Sequence, residues 1–349
     1  MRIVNSVLGD ATGGRWQVVC DYNRVLSQRG HTVLMLLNEN HRPDLDGIPA
    51  DVDVELIRNR GHYDYPAAWS ARRRLRGFAP HLAIAHCSRS VALLKRATRG
   101  DTPVVAVSHS NKVKRLLPAD AYLALSSHIE QAIKRAGKAS FRKPCFVVPN
   151  MITVGVSSLP AVRQRHRSLR IGALGRFDKV KGFDVFVEAL GLLHARGLPF
   201  EAALGGSGIE QQRLTERARL LGLSERLSFP GWITQVDRFL ADVDILVVPA
   251  RSDAFGLTPL QAAIAGVPLL LSTASGHREM FEDEAEALFC EVGEPLSTAD
   301  QLARLMADSE LAGRLCQAAY RRAVRDYSET AVSDKLLHAL ESIDKNFNK

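Results

Sequence analysis

Thirteen short apolar runs punctuate the chain, and most are followed by a polar turn and a stretch with helical spacing. In the first part they are "RIVNSVL", "HTVLMLL", "DVDVELI", "HLAIAH", "TPVVAVS", "AYLALS" and "CFVVP". After a stretch rich in Ser, Pro and Arg they resume as "LRIGAL", "FEAAL", "RLSF", "DILVVP", "VPLLLS" and "ALFC". Strands this apolar, separated by helices, are buried on both faces, which is the pattern of a parallel sheet. The alternation starts twice. It therefore predicts two doubly wound, Rossmann-like α/β domains over 1–160 and 161–327, with residues 153–168 as linker. A last amphipathic helix, about 328–349, is expected to pack back on the first domain. With 349 residues, each domain has length enough for a full core.

Two helices can be read in detail. "RWQVVCDYNRVLSQRG" puts Val18, Val19, Tyr22, Val25 and Leu26 on one face and closes at Gly30. "GFDVFVEALGLL" does the same with Phe183, Phe186, Val187, Leu190 and Leu193. No apolar run approaches the ~18 residues of a membrane span. The start has no signal-peptide core, and the five cysteines have neither metal-ligand nor redox spacing. These features predict a cytoplasmic protein without a disulfide framework.

Charge is uneven. Residues 1–160 hold 23 Lys and Arg against 12 Asp and Glu, a net +11, and the remainder is −3. One half is thus suited to a polyanion or an anionic surface. Arg72, Arg73, Arg74 and Arg76, with Trp69, Leu75 and Phe78 nearby, form a basic helix that fits an anionic membrane, or else an ordinary solvated face. Aromatics make up only 6% of the chain. Nucleic-acid binding by stacking is therefore not expected.

Ligand signals cluster where strands end. Gly13 and Gly14 open the first helix. "LGRFDKVKGF" places Arg176 and Lys181 around a turn after a strand, at the carboxyl end where doubly wound folds bind ligands. Plain surface cations are the competing reading. Gly206, Ser207 and Gly208 sit between a strand and a helix, and Trp232 and Ile233 close "SFPGWI". In "PARSDAFGLTPLQA" a helix starts near Leu257, so the N–H groups of Gly256, Leu257 and Thr258 meet at its positive end. Asp253 and Gln261, eight apart, can face one ligand. Asp242/Asp244 and Asp51/Asp53 have metal-chelating spacing but sit at strand starts, so no metal site is read there.

In order along the chain, Gly13-Gly14, His86 in "IAHC", His109 in "VSHS", "VVPN", "LGRFDKVKGF", "GGSG", "FPGW" and "PARSDAFGLTPLQA" resemble the retaining glycosyltransferases of family 4, which have the GT-B architecture of two Rossmann-like domains facing across a cleft. The resemblance covers nearly the whole chain. It implies a nucleoside-diphosphate sugar donor, with UDP favoured over GDP or ADP, bound by the second domain, and a glycan or glycolipid acceptor bound by the first. It implies no required cofactor or metal.

By the same resemblance, Arg176 and Lys181 bind the diphosphate, His109 and Asp253 contact the donor sugar, and Gln261 faces the ribose. Trp232 and Ile233 border the base. Gly206, Ser207, Gly208, Phe255, Gly256, Leu257 and Thr258 line the nucleotide. The family usually has two glutamates where this chain has Asp253 and Gln261, which bears on donor choice. The implied work is transfer of a hexose or N-acetylhexosamine in bacterial lipopolysaccharide or envelope polysaccharide synthesis, on the cytoplasmic face of the inner membrane. The alternatives are a nucleotide-sugar 2-epimerase and a non-catalytic nucleotide-sugar-binding protein.

Overall fold

The computed structural model describes residues 1–9, 11–41, 43–138, 141–155 and 168–347. The core of the expected linker, residues 156–167, lies outside them. The chain divides into two compact units, one of residues 1–151 and 329–349 and one of residues 152–328.

The first unit holds a parallel sheet of seven strands: β1 (Arg2–Val7), β2 (Thr32–Asn38), β3 (Asp53–Ile57), β4 (Leu82–Ala85), β5 (Val104–Ser108), β6 (Ala121–Ala124) and β7 (Cys145–Val147). Its helices are α1 (Gly13–Gln28), α2 (Tyr65–Phe78), α3 (Ser88–Thr98) and α4 (Ser127–Ala136). The spatial order is β3-β2-β1-β4-β5-β6-β7.

The second unit holds β8 (Arg170–Leu174), β9 (Glu201–Gly205), β10 (Leu227–Ser228), β11 (Ile245–Val248), β12 (Leu269–Ser272) and β13 (Leu288–Cys290) in the order β10-β9-β8-β11-β12-β13. It carries α5 (Phe183–Ala195), α6 (Gln211–Leu220), α7 (Val236–Ala241), α8 (Leu257–Ile264), α9 (Ser275–Met280), α10 (Pro295–Ala307) and α11 (Ser309–Tyr327). The last helix, α12 (Glu329–Phe347), belongs to the first unit.

All thirteen apolar runs form strands, and every pairing between them is parallel. The two helix faces read from sequence are buried, including Tyr22 and Leu26 on α1 and Phe186 and Leu190 on α5. Both sheets are therefore of the doubly wound, Rossmann-like kind. Each reverses its strand order once, between β1 and β4 in the first and between β8 and β11 in the second. At such a reversal the loops leaving two neighbouring strands turn to opposite faces and open a crevice at the strands' carboxyl ends. Among the described residues no helix is long and apolar enough to cross a membrane.

Candidate functional site

The crevice of the second sheet is built from the loops that leave β8 and β11. The β8 loop carries Arg176 and ends in a short 3-10 turn, Lys179–Lys181, capped by the Asp178 side chain. Gly182 follows with φ +69°, and a Cβ there would collide with the carbonyl oxygen of Pro249 at the end of β11. Only glycine lets the two loops come this close. The approach places Lys181 Nζ 2.9 Å from Asp253 Oδ2, across 72 residues of chain.

Asp253 is nearly buried. Burial alone would raise its carboxyl, but the Lys181 ammonium, with His277, holds it well below the usual carboxylate range. His277 is fully buried on α9. Its Nδ1 lies 3.1 Å from the Ser272 carbonyl, which can only accept, so Nδ1 carries the proton. The Ser272 hydroxyl donates to the Ala250 carbonyl and leaves a lone pair for the same Nδ1, 3.2 Å away. Nε2 then faces Asp253 Oδ2 at 3.8 Å, within ion-pair range of a protonated ring but too far for a hydrogen bond. Gly276 beside it lets the Asp253–Ala254 backbone pack against α9, since a Cβ would strike their carbonyl groups.

Three further pieces surround this pair. Helix α8 begins at Gly256 without a side-chain cap, and Pro259 supplies no N–H. The N–H groups of Leu257 and Thr258 are therefore the donors of its first turn. Gly256 lies against the Asp253 carboxylate, where a Cβ would stand 3.3 Å from Oδ2. The β8 and β9 loops interlock through Gly175 N–H to the Gly205 carbonyl at 2.9 Å and Phe177 N–H to the Ser207 carbonyl at 2.7 Å. Gly206 N–H donates to the Gly231 carbonyl at 2.7 Å, which ties in the loop bearing Trp232 and Ile233. The Trp232 ring is exposed and Ile233 half-buried.

Arg176 is exposed, with Nε 3.1 Å from Asp178 Oδ2. Gln261 is half-buried on α8. The Phe255 ring is buried edge-on against Tyr327, so the backbone is what this residue can offer a ligand. The second sheet thus gathers Lys181, Asp253, the start of α8 and the glycine loop. His277 escaped the sequence reading, although a histidine soon after an apolar strand is the same signal that marks His109.

His109, Gly13 and Gly14 belong to the first unit. Gly13 and Gly14 open α1 beside Arg15. His109 Nε2 lies 3.0 Å from His86 Nδ1, and Tyr22 meets the His86 ring edge-on. Burial first, and then the Arg15 cation, lower the His109 imidazolium, and His86 is lowered too, so both rings are neutral at pH 7. They sit after β4 and β5, beside the strand reversal of the first sheet, on a cavity of about 730 Å³.

On the basic helix α2, Arg74 pairs with Glu55 and Arg72 donates to the Ala97 carbonyl. Arg72, Arg73, Arg76 and Arg99 border a second hollow with the exposed Trp69. Asp244 accepts from the Arg170 N–H and Asp51 from Ser27. Among the described residues no group of three His, Cys, Asp or Glu side chains is placed to hold a metal ion.

Residues 161–322 match the family model of glycosyl transferases group 1, and residues 12–155 match that of glycosyltransferase family 4. The chain is similar to the lipopolysaccharide core biosynthesis glycosyltransferase LpsE of Rhizobium meliloti, 29% identical over 49% of this chain and 49% of that protein. It is 27% identical to a D-inositol 3-phosphate glycosyltransferase of Salinispora tropica over 81% of this chain and 65% of that one. The chain spans about half the length of the first curated relatives it matches, the R. meliloti enzymes LpsE and LpsD. The crystal structure of Anabaena HepE with UDP and glucose covers 98% of this chain and all of its own, with TM-score 0.82 and 18% identity. A sucrose-phosphate synthase from Thermosynechococcus elongatus covers 99%, with TM-score 0.86 and 17% identity.

Proposed function

The chain belongs to the family 4, group 1 glycosyl transferases, and on that premise we propose that it moves a hexose or N-acetylhexosamine from a nucleoside-diphosphate sugar, a UDP-sugar by preference, to a hydroxyl of a glycan or glycolipid. The observation that carries this reading is the Lys181–Asp253 pair at the strand reversal, with the open start of α8 against it. A pyrophosphate needs cations and free N–H groups, and a sugar needs an acceptor for its hydroxyls. This crevice offers both within one cluster.

In this proposal Arg176 grips the diphosphate with its planar fork, and Lys181 adds a point charge with three donors. One of those donors stays on Asp253 while the others turn to phosphate. The N–H groups of Leu257 and Thr258 add the positive end of a helix dipole. Asp253, ionised at all working pH, accepts from the donor sugar. Gln261 takes the ribose, and Trp232 and Ile233 border the base.

The bond from C1 of the sugar to the phosphate oxygen breaks, and a bond from C1 to the acceptor oxygen forms on the same face, which keeps the donor's configuration. The acceptor's proton passes to the departing phosphate. Negative charge grows on that phosphate in the transition state, where Arg176 and Lys181 are held ready for it. These cations do the work a metal does in other transferases, so the reaction runs without one. The relatives named for lipopolysaccharide core and O-antigen synthesis support an envelope glycan as product. The net +11 of residues 1–160 supports work beside an anionic membrane on its cytoplasmic face.

The test is turnover of the purified protein with a panel of labelled donors in EDTA. Sugar transfer with release of free nucleotide is expected. Arg176→Ala and Lys181→Ala should each lower kcat by a factor on the order of 100 or more with folding intact. Turnover within threefold of wild type in both variants would remove the phosphate assignment. Dependence on added Mg²⁺ or Mn²⁺ would replace the metal-free mechanism.

A further inference from the structure

The cavity beside the strand reversal of the first sheet has a chemical character that the transfer reaction does not require. Arg15, Arg89, Lys112, Lys114 and Arg115 line it, and among the described residues no Asp or Glu does. Arg89, Lys112, Lys114 and Arg115 also make no ion pair among the described residues. Some cations elsewhere in this unit are paired, as Lys95 is with Asp120 and Arg74 with Glu55, while Arg72, Arg73, Arg76 and Arg99 gather at the other hollow, beside α2. Five cations thus meet around this one cavity, and elements of the fold hold three of them there. Arg89 projects from the first turn of α3, and Lys114 and Arg115 form a 3-10 turn that packs on α3. The field is felt by a neighbour, because His62 on the same cavity is lowered by burial and then by Arg115 and Arg89.

Like charges held round one hollow repel each other, and no neutral sugar would relieve that. We infer that this cavity binds a phosphate group on the acceptor, so that the acceptor is a phosphorylated saccharide rather than a neutral one. The inference rests on the transferase reading above, with the acceptor taken by the first unit, as the family resemblance implies. The number of cations favours phosphate over a single carboxylate. The guanidinium forks of Arg89 and Arg115 supply paired donors to its oxygens, and the lysines add charge without demanding geometry. The location agrees, since the carboxyl ends of β1, β4 and β5 are where this sheet opens.

Calorimetric titration of the 349-residue protein with glucose 6-phosphate and with glucose tests this. The sugar phosphate should bind at least tenfold tighter than glucose, and more weakly as salt is raised. Arg89→Gln with Arg115→Gln should lose at least tenfold of that affinity. Lys112→Gln with Lys114→Gln, both exposed, should lose part of it and serves if the first pair disturbs folding. Arg176→Ala with Lys181→Ala should keep sugar-phosphate binding and lose UDP, and the arginine pair of the cavity should do the reverse.

Equal affinity for glucose and its phosphate would overturn the inference, as would loss of the phosphate ester only in the Arg176/Lys181 variant. Failure of the wild type to bind any nucleoside diphosphate would overturn the transferase reading and still leave the phosphate arm readable. Vesicles of phosphatidylglycerol and phosphatidylcholine separate a lipid headgroup from a soluble ester. Binding to them through Arg89 and Arg115, undisturbed by glucose 6-phosphate, would also overturn the inference.

Discussion

At Asp253 a nearly buried carboxylate keeps its charge because Lys181 stands 2.9 Å away and His277 faces it from α9. Its carboxyl lies below the ordinary value of about 3.9. A carboxyl depressed by folding contributes stability that is present above its unfolded value and is lost as the pH falls through the folded one. Asp253→Asn keeps the shape, removes the charge and leaves Lys181 without its partner. It should cost roughly 1–3 kcal/mol at pH 7. The gap between variant and wild type should narrow as the pH drops below about 4. Urea unfolding followed from pH 7 to pH 3 reads this, and parallel curves at all pH values would show that the pair does not hold the fold. Sequence made both partners candidates but not their contact. That contact depends on β8 lying beside β11, and nothing within either loop specifies its neighbour. The same is true of Arg89 and Arg115, which look like ordinary surface cations until α3 and the 3-10 turn bring them to one cavity.

At the scale of elements, the strands and the two best helices were legible because burial on both faces leaves near-continuous apolar runs, while helices keep a polar stripe. Loop geometry was not legible, because it is decided by what each turn meets. Gly206 and Gly197 illustrate this. Both have positive φ, +141° and +72°. A Cβ at Gly206 would strike the Gly175 carbonyl and the Phe177 ring, whereas a Cβ at Gly197 would meet nothing within 4 Å. Gly197→Ala should therefore cost about 1 kcal/mol, the conformational term alone. Gly206→Ala adds a backbone clash and should cost about 2–3 kcal/mol or more. It should also weaken UDP binding, since the β8 and β9 loops would have to part. Urea midpoints and UDP titration of both variants check the pair. Equal losses of stability would mean that the interlocked loops yield easily.

At the scale of the whole molecule, the division into units does not follow the order of the chain. The second unit is continuous, but the first takes its last helix from the far end of the sequence. Both places where the chain leaves the second unit lie side by side, with the Ile152 N–H donating to the Tyr327 carbonyl at 2.8 Å. From there α12 returns to α1, where Glu329 pairs with Arg24 and Asp334 with Arg29. Val332, Leu336, Leu340 and Ile343 are buried along one face. At ~1.5–3 kcal/mol for each large apolar side chain, this face contributes roughly 6–12 kcal/mol, the size of a whole domain's net stability. The surface ion pairs add little beside it. A chain ending at Ser328 should therefore lose the first unit and keep the second, whose core of Phe186, Leu190, Ile245 and Leu270 draws nothing from α12. Hydrogen exchange of the shortened chain should show amides of β1, β2, β4 and β5 without protection, and those of β8, β9, β11 and β12 protected as before. Full protection of β1 and β4 would mean that α12 only covers a unit already stable without it.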